Sequence, residues 1–250
     1  MEVEGGVGVV RIDRPPANAI DLQVGMALMT AIREADERDD VGAVVVWGGP
    51  SIFAAGADIK AMVEWGPEEV RPSVEALGEA CDLLEECSKP AIAAVNGLAL
   101  GGGLELALAC DLRYLAEDAN VGQPEIRIGV MPGAGGTQRL VRLVGPGRTT
   151  ELVFSGRRVS ADEALRIGLA ERIAPASEVF PAALADARSF AEGPRAALAS
   201  AKRAIRAAIT SPGPAGLRAE RELFLRLFGT PDQREGMRAF LEKRAPRFGG

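Results

Sequence analysis

No histidine occurs anywhere in the 250 residues. That absence removes Ser-His-Asp and Cys-His nucleophile activation, the common histidine-based zinc sites and every imidazole acid/base step. A general acid or base must then be a carboxylate, Lys, Tyr or Cys. Cysteine is scarce as well. Cys81, Cys87 and Cys110 are odd in number and not clustered at metal-ligand spacing, so they read as reduced thiols packed as small apolar groups. Excess positive charge is also missing: 29 Lys+Arg against 35 Asp+Glu gives a formal −6. Nucleic-acid binding as the main business needs a basic footprint and is disfavoured. The charge is uneven, however. After residue 180 there are 13 basic against 7 acidic residues, net +6, which leaves −12 for the rest. A basic final third suits a phosphorylated small ligand or simply solvated helix faces.

Targeting and membrane signals are lacking too. MEVEGGVGVVRIDRPP has no basic segment leading into an apolar run and no Arg/Ser-rich transit character, so a cytoplasmic location is expected. Ala91 to Cys110 approaches spanning length but carries Glu105, Asn96 and four glycines. A carboxylate near mid-membrane costs about 2.5–3.5 kcal/mol, which small residues do not repay. No span is expected, and no repeat of fixed period or low-complexity segment is visible.

What is there is 47% apolar and 26% charged, too apolar for a disordered chain and long enough to bury a core. Val7 to Ile12, Ala43 to Trp47, Ala91 to Val95 and Leu112 to Leu115 read as strands. Leu22 to Glu37 and Val74 to Cys87 carry apolar residues at helical spacing. This alternation predicts an α/β layer structure. After Gly145 the chain turns helical, with an Ala/Arg-rich stretch from Ala182 to Thr210 and another pattern from Leu217 to Phe228. Breaks are expected at Gly193-Pro194, Ser211 to Pro214 and Gly229 to Pro231.

Three segments can carry chemistry. Glu105, in LGGGLELALAC, is the only charge between Lys89 and Asp111. A buried carboxylate there needs pairing, hydrogen bonds or a proton; the alternative is a Glu on the wet edge of an otherwise buried helix. The glycines before it let backbone N–H groups approach a ligand at a helix N-terminus. FAAGADIK, Phe53 to Lys60, is a second glycine-rich corner, which is either a tight turn or an oxyanion site. In GQPEIRIGVMPGAGGTQRL, Gly122 to Leu140, Glu125 is either an exposed loop carboxylate or the partner of Glu105. Two carboxylates held close cannot both ionise easily, which supplies an acid and a base without histidine.

These motifs, with AVNGLALGGGLELALACD and REGMRAFLEKR, resemble in order and separation the enoyl-CoA hydratases of the crotonase superfamily, from about Gly5 to Phe248. The resemblance implies an α/β fold, a crotonase-like spiral of ββα units (residues 1–190). A helical C-terminal region (191–250) would serve oligomerisation, as a homotrimer or homohexamer, and coenzyme A contact. It implies Glu105 and Glu125 as catalytic carboxylates, the N–H groups of Ala57 and Gly102 as oxyanion hole, and Gly133 as a backbone contact near the attacking water. Lys60, Phe224 and Lys243 match positions that meet coenzyme A. Ser51 stands where relatives often carry Lys, which removes one phosphate contact. The substrate would be an acyl-CoA, with no separate cofactor, no metal, no nucleic acid and no membrane. Retention of both glutamates favours hydration of a trans-2-enoyl-CoA. A Δ3,Δ2-enoyl-CoA isomerase, another acyl-CoA lyase, and a non-catalytic or RNA-binding relative are the alternatives. The acyl pocket walls are expected around Met62 to Glu79.

Overall fold

The computed structural model describes residues 1–249. Its larger sheet runs β1 (Glu2–Glu4), β2 (Val7–Arg11), β3 (Ala43–Trp47), β4 (Ala91–Val95), β6 (Leu112–Ala116), β9 (Arg172–Ala174) in that spatial order. Only the β1–β2 pair is antiparallel. A smaller sheet orders β5 (Leu98–Leu100), β7 (Asn120–Gly122) and β8 (Arg158–Ser160). The helices are α1 (Leu22–Glu37), α2 (Ile59–Met62), α3 (Pro67–Glu86), α4 (Gly102–Ala109), α5 (Gly136–Ser155), α6 (Ala161–Ile167), α7 (Val179–Ala191), α8 (Arg195–Thr210), α9 (Pro214–Leu227) and α10 (Pro231–Glu242).

The continuous apolar runs AVVVW and AIAAV become the central parallel strands β3 and β4, covered on both faces, as such runs require. Val44, Val45, Val46, Ile92, Ala93 and Ala94 are fully buried. Two ββα turns follow, β4–β5–α4 and β6–β7–α5. In each, the first strand joins the large sheet and the second the small one. Helix α1, capped by Asp21 accepting from Val24 N, buries Gly25, Leu28, Ile32 and Ala35 on one face. Gly25 lies so close to α3 that an added Cβ would sit 3.0 Å from the Ala76 Cβ. All three thiols are buried and free.

The four strands and α1 lie where the sequence pattern expects them. Helix α3 starts seven residues earlier than the expected Val74. Pro67 occupies its first turn, where a missing N–H costs nothing, and Glu68 and Glu69 favour the positive end of the dipole. The five three-residue strands escape periodicity, being too short to show alternation. The Ala/Arg-rich stretch is two helices, α7 and α8, interrupted at the expected Gly193-Pro194. Helix α7 packs on the large sheet, whereas α8 buries no residue and α9 and α10 leave Phe224, Leu225, Phe240 and Leu241 largely exposed. Among the described residues no helix is long and apolar enough to cross a membrane.

Candidate active site

Two glycine corners abut at one end of the small sheet. The first runs from the end of β3 to Ala57. Asn18, itself left-handed at φ 51°, holds it by donating from Nδ2 to the carbonyls of Gly48, Ile52 and Phe53 at 2.7, 3.1 and 3.1 Å. Ala54 then bridges to Ala99 of β5, with Leu100 N donating to Ala54 O at 3.0 Å. The second corner is Gly101 to Gly103. Gly101 takes φ 52°, and an added Cβ on Gly103 would sit 2.3 Å from Ala54 O, so only glycine lets the two chains meet. An added Cβ on Gly56 would be 3.7 Å from the Gly102 nitrogen, which brings the corners face to face.

Both expected oxyanion donors lie here. Gly102 is the first residue of α4, so its N–H has no partner within the helix. Ala57 forms a parallel bridge with Ile20 whose bond runs from Ile20 N to Gly56 O at 2.8 Å. The Ala57 N–H is therefore left on the opposite side. Ala57 and Gly102 line one cavity of about 430 Å³, a size suited to a small-molecule site.

Glu105 and Glu125 line the same cavity. Every residue of α4 is buried, and Glu105 is 3% exposed, so the wet-edge alternative fails. Its Oε1 accepts the N–H groups of Ala134 and Gly136, each at 2.8 Å, and the buried Arg139 guanidinium lies behind them. Burial pushes the Glu105 carboxyl above its ordinary value, while the two amides and Arg139 pull it back part of the way. Glu125 opens a 3₁₀ turn, Glu125–Ile128, and is only partly shielded. No cation offsets its burial. Desolvation, with a further push from the Glu105 charge, raises it to about 7. The buried Gln123 amide faces it; with its nitrogen turned toward the carboxylate it donates to Oε1 at 2.8 Å and Oε2 at 3.2 Å. Gly101 carries the geometry across, since a Cβ there would touch Glu125 Oε1 at 3.1 Å. Two acids from separate segments thus face one cavity with their affinities for a proton set apart.

One face of α3 closes the cavity: Val70, Ser73, Val74 and Leu77, joined by Met62 and Trp65, as expected for the 62–79 segment. Val130 and Met131 from the loop after the 3₁₀ turn line it too, and Gly133 lies against Val74. Lys60, Phe224 and Lys243 are the residues expected to meet coenzyme A. None lines the cavity: Lys60 is exposed on α2, Phe224 packs edge-on against Phe228 of its own region, and Lys243 is the exposed left-handed cap of α10. Within this chain α9 and α10 do not bring Phe224 or Lys243 to the cavity wall. Sequence reasoning overlooked Asn18, Gln123 and Arg139. Each is a polar residue beside a glycine or proline motif, but the signal is pairing across long sequence separation.

Comparison with known proteins shows the family. The family model for enoyl-CoA hydratase/isomerase matches residues 2–250. A probable enoyl-CoA hydratase of Mycobacterium leprae is 43% identical over 243 residues, 97% of this chain and 94% of that protein. The mitochondrial enoyl-CoA hydratase of Pongo abelii is 42% identical, covering 97% of this chain and 83% of its own length. The crystal structure of enoyl-CoA hydratase from Bacillus anthracis superposes with a TM-score of 0.94 at 38% identity, over 98% of this chain and 96% of that one, so the crotonase-like architecture is present. With the model spanning nearly every residue and relatives above 40% identity, the chain belongs to the enoyl-CoA hydratase/isomerase family.

Proposed function

We propose that this protein is an enoyl-CoA hydratase, adding water reversibly and syn to a trans-2-enoyl-CoA to give the 3-hydroxyacyl-CoA. The observation that carries the reading is the unequal carboxylate pair: Glu105 held by two amides and near a cation, Glu125 raised to about 7 without one. At neutral pH the pair shares a proton that resides on Glu125, leaving Glu105 as the base. The thioester carbonyl sits between the N–H groups of Ala57 and Gly102. Glu105 takes a proton from water, whose oxygen bonds to Cβ. The displaced π electrons run into the thioester, where the amides stabilise the enolate-like charge, and Glu125 delivers its proton to Cα. Gly133, on the cavity wall, lies where a backbone group can orient the water.

The relatives named as hydratases, from bacteria and a mitochondrion, support this reading over a double-bond isomerase, for which one carboxylate suffices. Residues 1–190 form the catalytic unit in this proposal. Residues 191–250 form an assembly region whose exposed apolar side chains pack in a homotrimer or homohexamer, and coenzyme A contacts by Lys60, Phe224 and Lys243 would be completed there. The three buried thiols suit a cytoplasmic setting.

The test follows the enoyl-thioester absorbance of crotonyl-CoA on adding protein. Glu105→Gln and Glu125→Gln should each lower the hydration rate by about 10²–10⁴. Rates within a few-fold of the parent for both would abandon the assignment. Activity lost in only one variant, with 3-enoyl-CoA turned over, would favour the isomerase.

A further inference from the structure

Behind the active-site wall lies a second, polar cavity of about 300 Å³, and Gly133 and Ala134 line both. Its floor is Arg139, which is 6% exposed. From the same guanidinium Nη1 donates to Ala134 O at 2.9 Å, Nε to Glu85 at 3.1 Å and Nη2 to Asp82 at 2.7 Å. Gly135, at φ 103°, makes room for it; a Cβ there would overlap Nη1 at 2.0 Å. The peptide that Arg139 holds is therefore the one whose neighbouring amides, Ala134 and Gly136, grip Glu105.

We propose that Arg139 is a positioning residue for the Glu105 base, through the loop 134–136 and through its own charge, and that Asp82 and Glu85 on the far side tune how much of that charge Glu105 feels. This rests on the hydratase reading only for its kinetic consequence. The charged and titratable groups around the pair come from four elements. Glu125 approaches from the 3₁₀ turn, and Cys81, Asp82 and Glu85 from α3. Arg142 on α5 bonds Glu85 at 2.9 Å, and Arg206 on α8 lines the rear cavity while bound to Glu86. Burial keeps Cys81 a neutral thiol, so it adds no charge. The Glu105 charge pushes on Glu125, leaving Arg139 as the cation in contact with the loop that binds Glu105.

The experiment labels glutamate side-chain carboxyls with ¹³C in the full-length protein carrying Glu125→Gln, so that no proton is shared. The Glu105 resonance is assigned by its loss on Glu105→Gln. With Arg139→Gln the Glu105 titration should move up by about one pH unit or more. Arg139→Lys should restore most of it, and Glu85→Gln should move it down. With Glu125 intact, the acidic limb of kcat/KM for crotonyl-CoA should shift in the same order. A Glu105 titration unmoved by Arg139→Gln, or moved the same way by Arg139→Gln and Glu85→Gln, overturns the proposal, as does a rate loss equal at every pH. If Arg139→Gln fails to fold, the Glu85→Gln titration decides: downward supports, unmoved refutes. The NMR arm needs no turnover, so a protein inactive on crotonyl-CoA would defeat the hydratase reading without touching this result.

Discussion

Replacing Glu125 by Gln should stabilise the fold at pH 8 while it disables catalysis, and the stabilisation should disappear near pH 4. The argument is one of linkage. Glu125 titrates at about 7 in the folded chain against an ordinary 4.5, because burial and the Glu105 charge disfavour its anion. An acid raised on folding binds its proton more tightly in the native state. Below about 4.5 both states are protonated and nothing is lost; between 4.5 and 7 the penalty grows; above 7 it is complete. At about 1.4 kcal/mol per pH unit the ceiling is about 3.5 kcal/mol. Glu125 keeps part of its surface in water, so screening lowers the expectation to about 1–2 kcal/mol. The substitution removes the charge at nearly constant shape, and the Gln123 amide can turn to keep a partner. For a chain of this length the gain corresponds to roughly 2–8 °C in Tm. Thermal melts of parent and variant from pH 4 to 8.5 check it. A Tm difference that is flat with pH, or a variant less stable at pH 8, would refute the reasoning that burial of an uncompensated carboxylate raises Glu125.

Two further outcomes separate the parts of the site. Gly102→Pro removes one oxyanion N–H at a helix position where Pro is tolerated; combined with Leu77→Ala, which clears the side chain 2.7 Å from an added Cβ, it should cut kcat by about 10²–10³ with helix content retained. Full activity of that double variant would remove Gly102 from the oxyanion hole. Asn18→Ala should cost about 1–3 kcal/mol, read by urea denaturation, because it strands the buried carbonyl of Phe53 and the part-buried carbonyls of Gly48 and Ile52. Since that corner carries Ala57, kcat should fall as well; stability unchanged within error would show that Asn18 does not hold it.

Much of this protein was legible in the chain alone. Missing histidine left acid/base chemistry to carboxylate, Lys, Tyr or Cys, and an isolated Glu105 in an apolar helix after three glycines stood out as a candidate. Valine-rich runs placed the central strands because a strand buried on both faces must be apolar throughout. What the tertiary structure decided is everything that depends on who meets whom. Whether Glu105 was wet or buried, and whether Glu125 shared its cavity, turned on contacts between segments distant in sequence, such as the Ala134 and Gly136 amides on Glu105, that no local pattern encodes. The three-residue strands of the small sheet, the Asn18 clamp and the Arg139 contact are likewise products of long-range pairing. Lys60, Phe224 and Lys243 lie outside the cavity lining in the single chain, a placement that their motif positions alone did not determine. Local physics chose the residue types and the elements; only the packed chain set the unequal surroundings of the two glutamates.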